Sequence, residues 1–77
     1  MSYRVESLWQ VQQKIRSLSP EGQSAYASLT RSLAADPWRV GNPTRSKNVR
    51  ITGFFELYEA TFQIEDTHVT VTIIEVR

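Results

Sequence analysis

Between Arg39 and Arg50 the chain places Arg39, Arg45, Lys47 and Arg50 with no acid among them. Cations gathered in this way suit phosphate, because each one neutralises backbone charge and releases a counterion. The chemistry they suggest is RNA cleavage by in-line attack of a 2′-hydroxyl. That reaction needs a base, an acid and cations around the phosphate. Arg77 would join the group if the last strand ended nearby. His68 is the one side chain whose ordinary pKa lies near neutrality. The bland alternatives stay open. The cationic cluster equally suits solubility and contact with an acidic partner, and His68 suits a solvated strand edge.

Other chemistries find less support. There is no cysteine and one histidine, so a zinc site lacks the nitrogen and sulfur ligands it needs. Glu56, Glu59 and Glu75 are carboxylates, but nothing holds two of them face to face. No glycine-rich phosphate loop and no nucleophile elbow occurs. The expectation is therefore a protein without metal or cofactor. The formal net charge of +1 on 77 residues says little, whereas its distribution says more. The acids Glu56, Glu59, Glu65, Asp66 and Glu75 all follow the cationic stretch.

Such a length gives one small domain, 1–77, burying roughly 60–65% of its unfolded surface. No apolar run approaches the roughly 18–20 residues of a membrane span. The N-terminal residues show no signal-peptide pattern, so the expected compartment is the cytoplasm, with no membrane partner.

The elements that must position these residues follow from periodicity. Tyr3 and Val5 alternate with Arg4 and Glu6, as in a short strand. Leu8, Val11, Ile15 and Leu18 recur at helical spacing, predicting an amphipathic helix of about three turns. Ser19-Pro20 is a helix start, with serine as cap and proline at the first position. Tyr26, Leu29 and Leu33 give the second helix its buried stripe, and Asp36-Pro37 ends it. Residues 37–48 hold two prolines and a glycine, which predicts a loop without regular structure. Val49 to Thr52 reads as a strand and Gly53 as a turn or bulge.

From Leu57 onward the signal is clearest. Tyr58, Ala60, Phe62 and Ile64 alternate with Glu59, Thr61, Gln63 and Glu65, and a second apolar alternation begins at Val69. This predicts an antiparallel ribbon with one wet face. In its last strand Ile74 and Val76 break the parity of Val69, Val71 and Ile73. Either a bulge switches the face near Ile73 or something covers both faces of the strand end. Phe54 and Phe55 are adjacent, so one of them should face away from the core. Phe55, Ile74 and Val76 are accordingly the candidate partner-binding residues. Trp38 reads as packing over the helices. Trp9 reads as core, or as a partly exposed anchor.

The coarse order is β-α-α-β-β-β. This is a two-layer α+β fold, with a helical hairpin packed on a small, mostly antiparallel sheet. The order and several local phrases resemble the RelE/ParE superfamily of bacterial type II toxins over nearly the whole chain. Leu33-Ala34-Ala35-Asp36-Pro37-Trp38 is similar to the family's junction after its second helix. Tyr58 to Arg77 is similar to its last two strands.

The resemblance implies a small cytoplasmic toxin neutralised by a cognate antitoxin. RelE-type members act with the ribosome on messenger RNA, through basic and aromatic side chains on the sheet face and without a metal. ParE-type members share the fold, lack that set and act on DNA gyrase. Arg50 falls where a catalytic lysine commonly sits, and Arg77 matches a basic residue near the end of the last strand. With His68, these form the candidate catalytic set. Arg39, Arg45, Lys47 and Arg50 form the candidate nucleic-acid-binding set.

The departures are equally specific. Thr52 stands where a second basic residue is expected, and Glu59 follows Tyr58 where the family has arginine. A second register would instead make Leu57 to Thr61 the second strand, leaving the sheet one strand short. The family's terminal segment, often a helix, is not expected in this chain. Two functions therefore stand side by side. One is a ribosome-dependent messenger-RNA interferase. The other is a non-enzymatic binding module, either a gyrase inhibitor or a protein that only engages its antitoxin.

Overall fold

The structure, a computed structural model, describes residues 2–77. Strand β1 (Arg4–Ser7) leads into helices α1 (Trp9–Arg16) and α2 (Pro20–Ala35). Strands β2 (Asn42–Pro43), β3 (Val49–Phe55), β4 (Tyr58–Glu65) and β5 (Thr70–Val76) follow. The sheet order is β1-β5-β4-β3-β2, with β1 parallel to β5 and the other pairs antiparallel. The two-layer α+β architecture is as expected, with one strand more than the sequence suggested.

Helix α2 starts where the Ser-Pro pair places it. The Ser19 hydroxyl accepts from the Gly22 amide at 3.2 Å, and Pro20 fills the first position. Helix α1 is shorter than its pattern predicts. Ser17 turns back on it, its amide and hydroxyl both donating to the Lys14 carbonyl. Leu18 is buried beyond the helix end rather than within it. Gly22 is needed for close packing, since a Cβ there would lie 2.9 Å from that of Leu18 and 3.1 Å from the Phe55 ring.

The core lies between the helices and one face of the sheet. Val11, Leu29 and Leu33 meet Ala60, Phe62, Ile64, Val71, Ile73 and Val76. At roughly 25 cal/mol per Å² of apolar surface removed from water, this is the main source of stability. The open face carries the other parity, including Glu6, Glu59, Gln63, Glu65 and Glu75.

Two bulges, near Gly53 and Ile73 as the sequence allowed, correct the placement of the phenylalanines and of Val76. Gly53 pairs with Glu59 and Phe55 with Tyr58, leaving Phe54 as the extra residue. Neither phenylalanine is therefore displayed on the open face. Phe54 meets Tyr26 edge-on at 5.6 Å, and Phe55 stacks on Tyr58 at 6.4 Å and approaches Gly22. In β5, Thr61 pairs with Glu75 and Phe62 with Ile73, so Ile74 is extra. That bulge re-phases the strand and turns Val76 into the core, where it is 8% exposed.

Residues 37–48 also hold more structure than two prolines allow at first sight. A single 3-10 turn spans Pro37–Arg39, and β2 pairs with Ile51 and Arg50 of β3. Pro43 fits because β2 is an edge strand, where a missing N–H costs no ladder bond. The pairing of Val49 to Thr52 with β4 selects the first of the two registers considered.

Candidate functional site

The cationic residues do not share one surface. Arg50 pairs in register with Phe62, so it lies on the helix-covered side of the sheet. Its half-buried guanidinium is occupied by the backbone. Nε donates to the Val40 carbonyl at 2.9 Å and Nη2 to the Gly41 carbonyl at 2.8 Å. Gly41 is left-handed at φ 66, and a Cβ there would fall 2.2 Å from the Ile51 carbonyl oxygen. Only glycine lets the chain pass beneath β3 at that point.

Arg45 and Lys47 stand on the exposed turn that joins β2 to β3. Thr44 organises this turn. Its hydroxyl donates to the Val49 carbonyl at 2.8 Å and accepts from the Ser46 amide at 3.2 Å. Among the described residues neither Arg45 nor Lys47 has an ion-pair partner, whereas Arg39 lies 3.6 Å from Asp36.

His68 and Arg77 are elsewhere. His68 belongs to a 3-10 turn, Asp66–His68, and not to the strand that the sequence reading gave it. Val69 takes a left-handed conformation at φ 49, so β5 begins only at Thr70. His68 Nδ1 lies 2.9 Å from a Glu65 carboxylate oxygen, with both side chains largely exposed. Arg77 bonds through its backbone to Glu59, and its Nε is 3.7 Å from Glu75. Glu59 and Glu65 are six residues apart along β4, or roughly 20 Å at about 3.3 Å per residue. Arg77 and His68 therefore mark opposite ends of the sheet, and Arg50 is on its other face. The candidate catalytic trio is not brought together.

The partner-binding residues are divided in the same way. Val76 is in the core and Phe55 is half-buried against Tyr58. Ile74 is half-buried beside Gln10 and Val11, in a shallow cleft of about 210 Å³. The large apolar side chains that face solvent are different ones. Leu57, at the hairpin tip, is 95% exposed, and Trp9 is 70% exposed. Trp9 is thus not a core residue. The two-residue gap between Phe55 and Tyr58 was the available signal for the tip.

One cluster escaped sequence reasoning altogether. A single carboxylate oxygen of Asp66 accepts from the Tyr3 hydroxyl at 2.7 Å and from the Trp38 indole at 3.0 Å. It ties the approach to β1, the turn after α2 and the β4–β5 connection. Trp38, 38% exposed, therefore acts as a tether through its indole N–H. The Tyr3 hydrogen bond, then that of Trp38, holds the Asp66 carboxyl below its ordinary range. The same bond raises the Tyr3 phenol. Tyr26 is also raised, by burial, with its oxygen 2.6 Å from the Ser7 hydroxyl. Among the described residues no group of three or more His, Cys, Asp or Glu is placed to hold a metal ion. Nor, among the described residues, is any helix long and apolar enough to cross a membrane.

No family model matches the chain, and no curated protein matches it in sequence. Solved structures do match. A chain of the RelBE2 toxin–antitoxin complex from Mycobacterium tuberculosis superposes with a TM-score of 0.85 at 25% identity, over 100% of this chain and 91% of that one. A mutant of the E. coli toxin RelE in the free state gives a TM-score of 0.83 at 16% identity, over 99% of this chain and 82% of that one. The same RelE mutant in complex with a peptide of the antitoxin RelB gives identical values.

Proposed function

On the premise that this chain has the RelE/ParE fold, we propose that it is the toxin-type member of a type II toxin–antitoxin pair. We infer further that it acts by binding and not by cutting RNA. Its likeness to a chain of a toxin–antitoxin complex, and to RelE with an antitoxin peptide, supports an antitoxin as its partner. The cytoplasm is the corresponding compartment.

One observation carries the choice of binding over cleavage. The open sheet face presents Glu59, Glu65 and Glu75, while Arg50 is spent on backbone carbonyls beneath the other face. Arg4 and Arg77 stand on the same face, but each is turned to a glutamate, Glu6 and Glu75, so among the described residues the face gathers no free cations around a phosphate. The second reading, ribosome-dependent messenger-RNA cleavage, draws on Arg45 and Lys47, which carry no ion pair among the described residues.

Induced expression with mapping of messenger-RNA ends separates the two. The binding reading expects no new ends, together with a stable complex with the product of a small neighbouring reading frame. New ends that vanish in an Arg45→Ala, Lys47→Ala variant would establish the second reading instead. Failure to bind any such product would remove the toxin–antitoxin assignment itself.

A further inference from the structure

Segment 37–48 runs from the end of α2 to the start of β3, and its Val40 forms one wall of an open cleft of about 270 Å³. Leu29 and Ser32 of α2, Thr52 and Phe54 of β3, and Val40 of the segment line it. Leu29 belongs to the core, and Phe54 and Val40 pack against it. From Gly41 to Lys47 every residue is exposed. Burial thus holds the segment only near Pro37 and Val40, and polar bonds supply the remainder.

The side-chain bonds that tie its first half to the rest of the fold fall at two points, and its end is held by the Thr44 bonds to Val49 and by the Asn48 carbonyl, which accepts from the Ile64 amide. At the start, Trp38 donates its amide to Asp36 and its indole N–H to Asp66. In the middle, Arg50 holds the Val40 and Gly41 carbonyls, and the two-residue strand β2 pairs alongside. Both fasteners are charge-assisted, a class roughly twice as strong as neutral hydrogen bonds. They differ in exposure. Arg50 is half-buried, whereas Asp66 is exposed and water competes for it.

We propose that 37–48 is a strap that opens as a unit while the rest of the fold stays intact. Arg50 is its main fastener and Asp66 its second, and opening removes the Val40 wall of the cleft between α2 and β3. A weakly buried segment held by few polar bonds is the kind of unit that opens below the global unfolding free energy. Gly41 is itself gripped by Arg50, and the Asp66 bond holds Trp38 upstream of it, so the whole segment lifts only when both release.

Amide hydrogen exchange on the full chain tests this. The Thr44 amide, bonded to the Val49 carbonyl in the closed strap, reports on the strap. The Phe62 amide reports on the core. The expected result is faster exchange at Thr44, with weak denaturant dependence, and slow, strongly denaturant-dependent exchange at Phe62. Arg50→Ala widens the Thr44-to-Phe62 ratio by about tenfold or more, as loss of a charge-assisted bond implies. Arg50→Lys, which keeps the charge but on a single donor nitrogen, widens it less, and so does Asp66→Ala. If Arg50→Ala does not fold, the lysine variant decides alone. Equal acceleration of both amides, or a shared denaturant dependence, would show that the segment opens only with the whole domain. A larger effect from Asp66→Ala than from Arg50→Ala would overturn the ranking of the fasteners.

Discussion

The β4–β5 ribbon and the segment 37–48, which joins the same sheet through β2 alone, are held by different forces. In the ribbon, Ala60, Phe62, Val71 and Ile73 have no exposed surface, and the pairing between the strands is continuous but for one bulge. In the segment almost everything is exposed, and the chain is fixed by side-chain donors at a few points. Burial is non-directional and cooperative, so the ribbon stands or falls with the domain. Directed polar bonds can be lost one at a time, so the segment has a local stability of its own.

The comparison breaks most visibly at Phe62. Phe62→Ala should cost roughly 3–5 kcal/mol, a large part of the ~5–15 kcal/mol that a small domain has in total. The urea midpoint would report it, and a loss below about 1 kcal/mol would mean that the core has collapsed around the gap.

Gly41→Ala comes next. A left-handed alanine with its Cβ against the Ile51 carbonyl should destabilise by more than about 1 kcal/mol. Gly53→Ala is the internal control. Its nearest neighbour would be the Tyr58 carbonyl oxygen at 3.9 Å, so the same denaturation experiment should register a change of less than about 1 kcal/mol.

Titration sharpens the contrast further. The folded carboxyl of Asp66 titrates below its ordinary value. Its contribution is complete above the unfolded pKa and is lost as pH falls through the folded one. In a Trp9→Phe background, Trp38 fluorescence should therefore change as pH falls through and below the ordinary carboxylate range, and Asp66→Asn should remove that change. Tyr26 works in the opposite sense. Burial raises its pKa, so its contribution is complete below the unfolded value near 10 and is lost as pH climbs through the folded one. Tyr26→Phe should flatten the alkaline limb of a stability–pH curve.

The smallest effect belongs to the open face. Glu75→Gln should change stability by no more than about 0.5 kcal/mol, because its contact with Arg77 is a long, exposed ion pair.

Much of this fold could be read from local pattern. Alternation in β4 places Ala60, Phe62 and Ile64 inward, and Ser19-Pro20 opens α2. The parity break at Ile74 pointed to a bulge as one of two explanations. The candidate site was far less legible. Arg39, Arg45, Lys47 and Arg50 are close in sequence, yet strand alternation sends Arg50 beneath the sheet while the next turn leaves Arg45 and Lys47 in water. Residue type cannot report that a guanidinium will be consumed by the carbonyls of Val40 and Gly41. Nor does any local signal join Tyr3 to an aspartate 63 residues away.

The sequence alone determined the helices, the wet and dry faces of β4, and the absence of any cysteine-based site. These depend on periodicities of two and 3.6 residues and on composition, which are local properties. Tertiary structure alone decided which side of the sheet Arg50 occupies and how far Arg77 lies from His68. It also decided that Val76 is core and that Asp66 holds Trp38. Each of these depends on strand register, on a bulge or on a long-range contact. Their free energies exist only once distant segments have met.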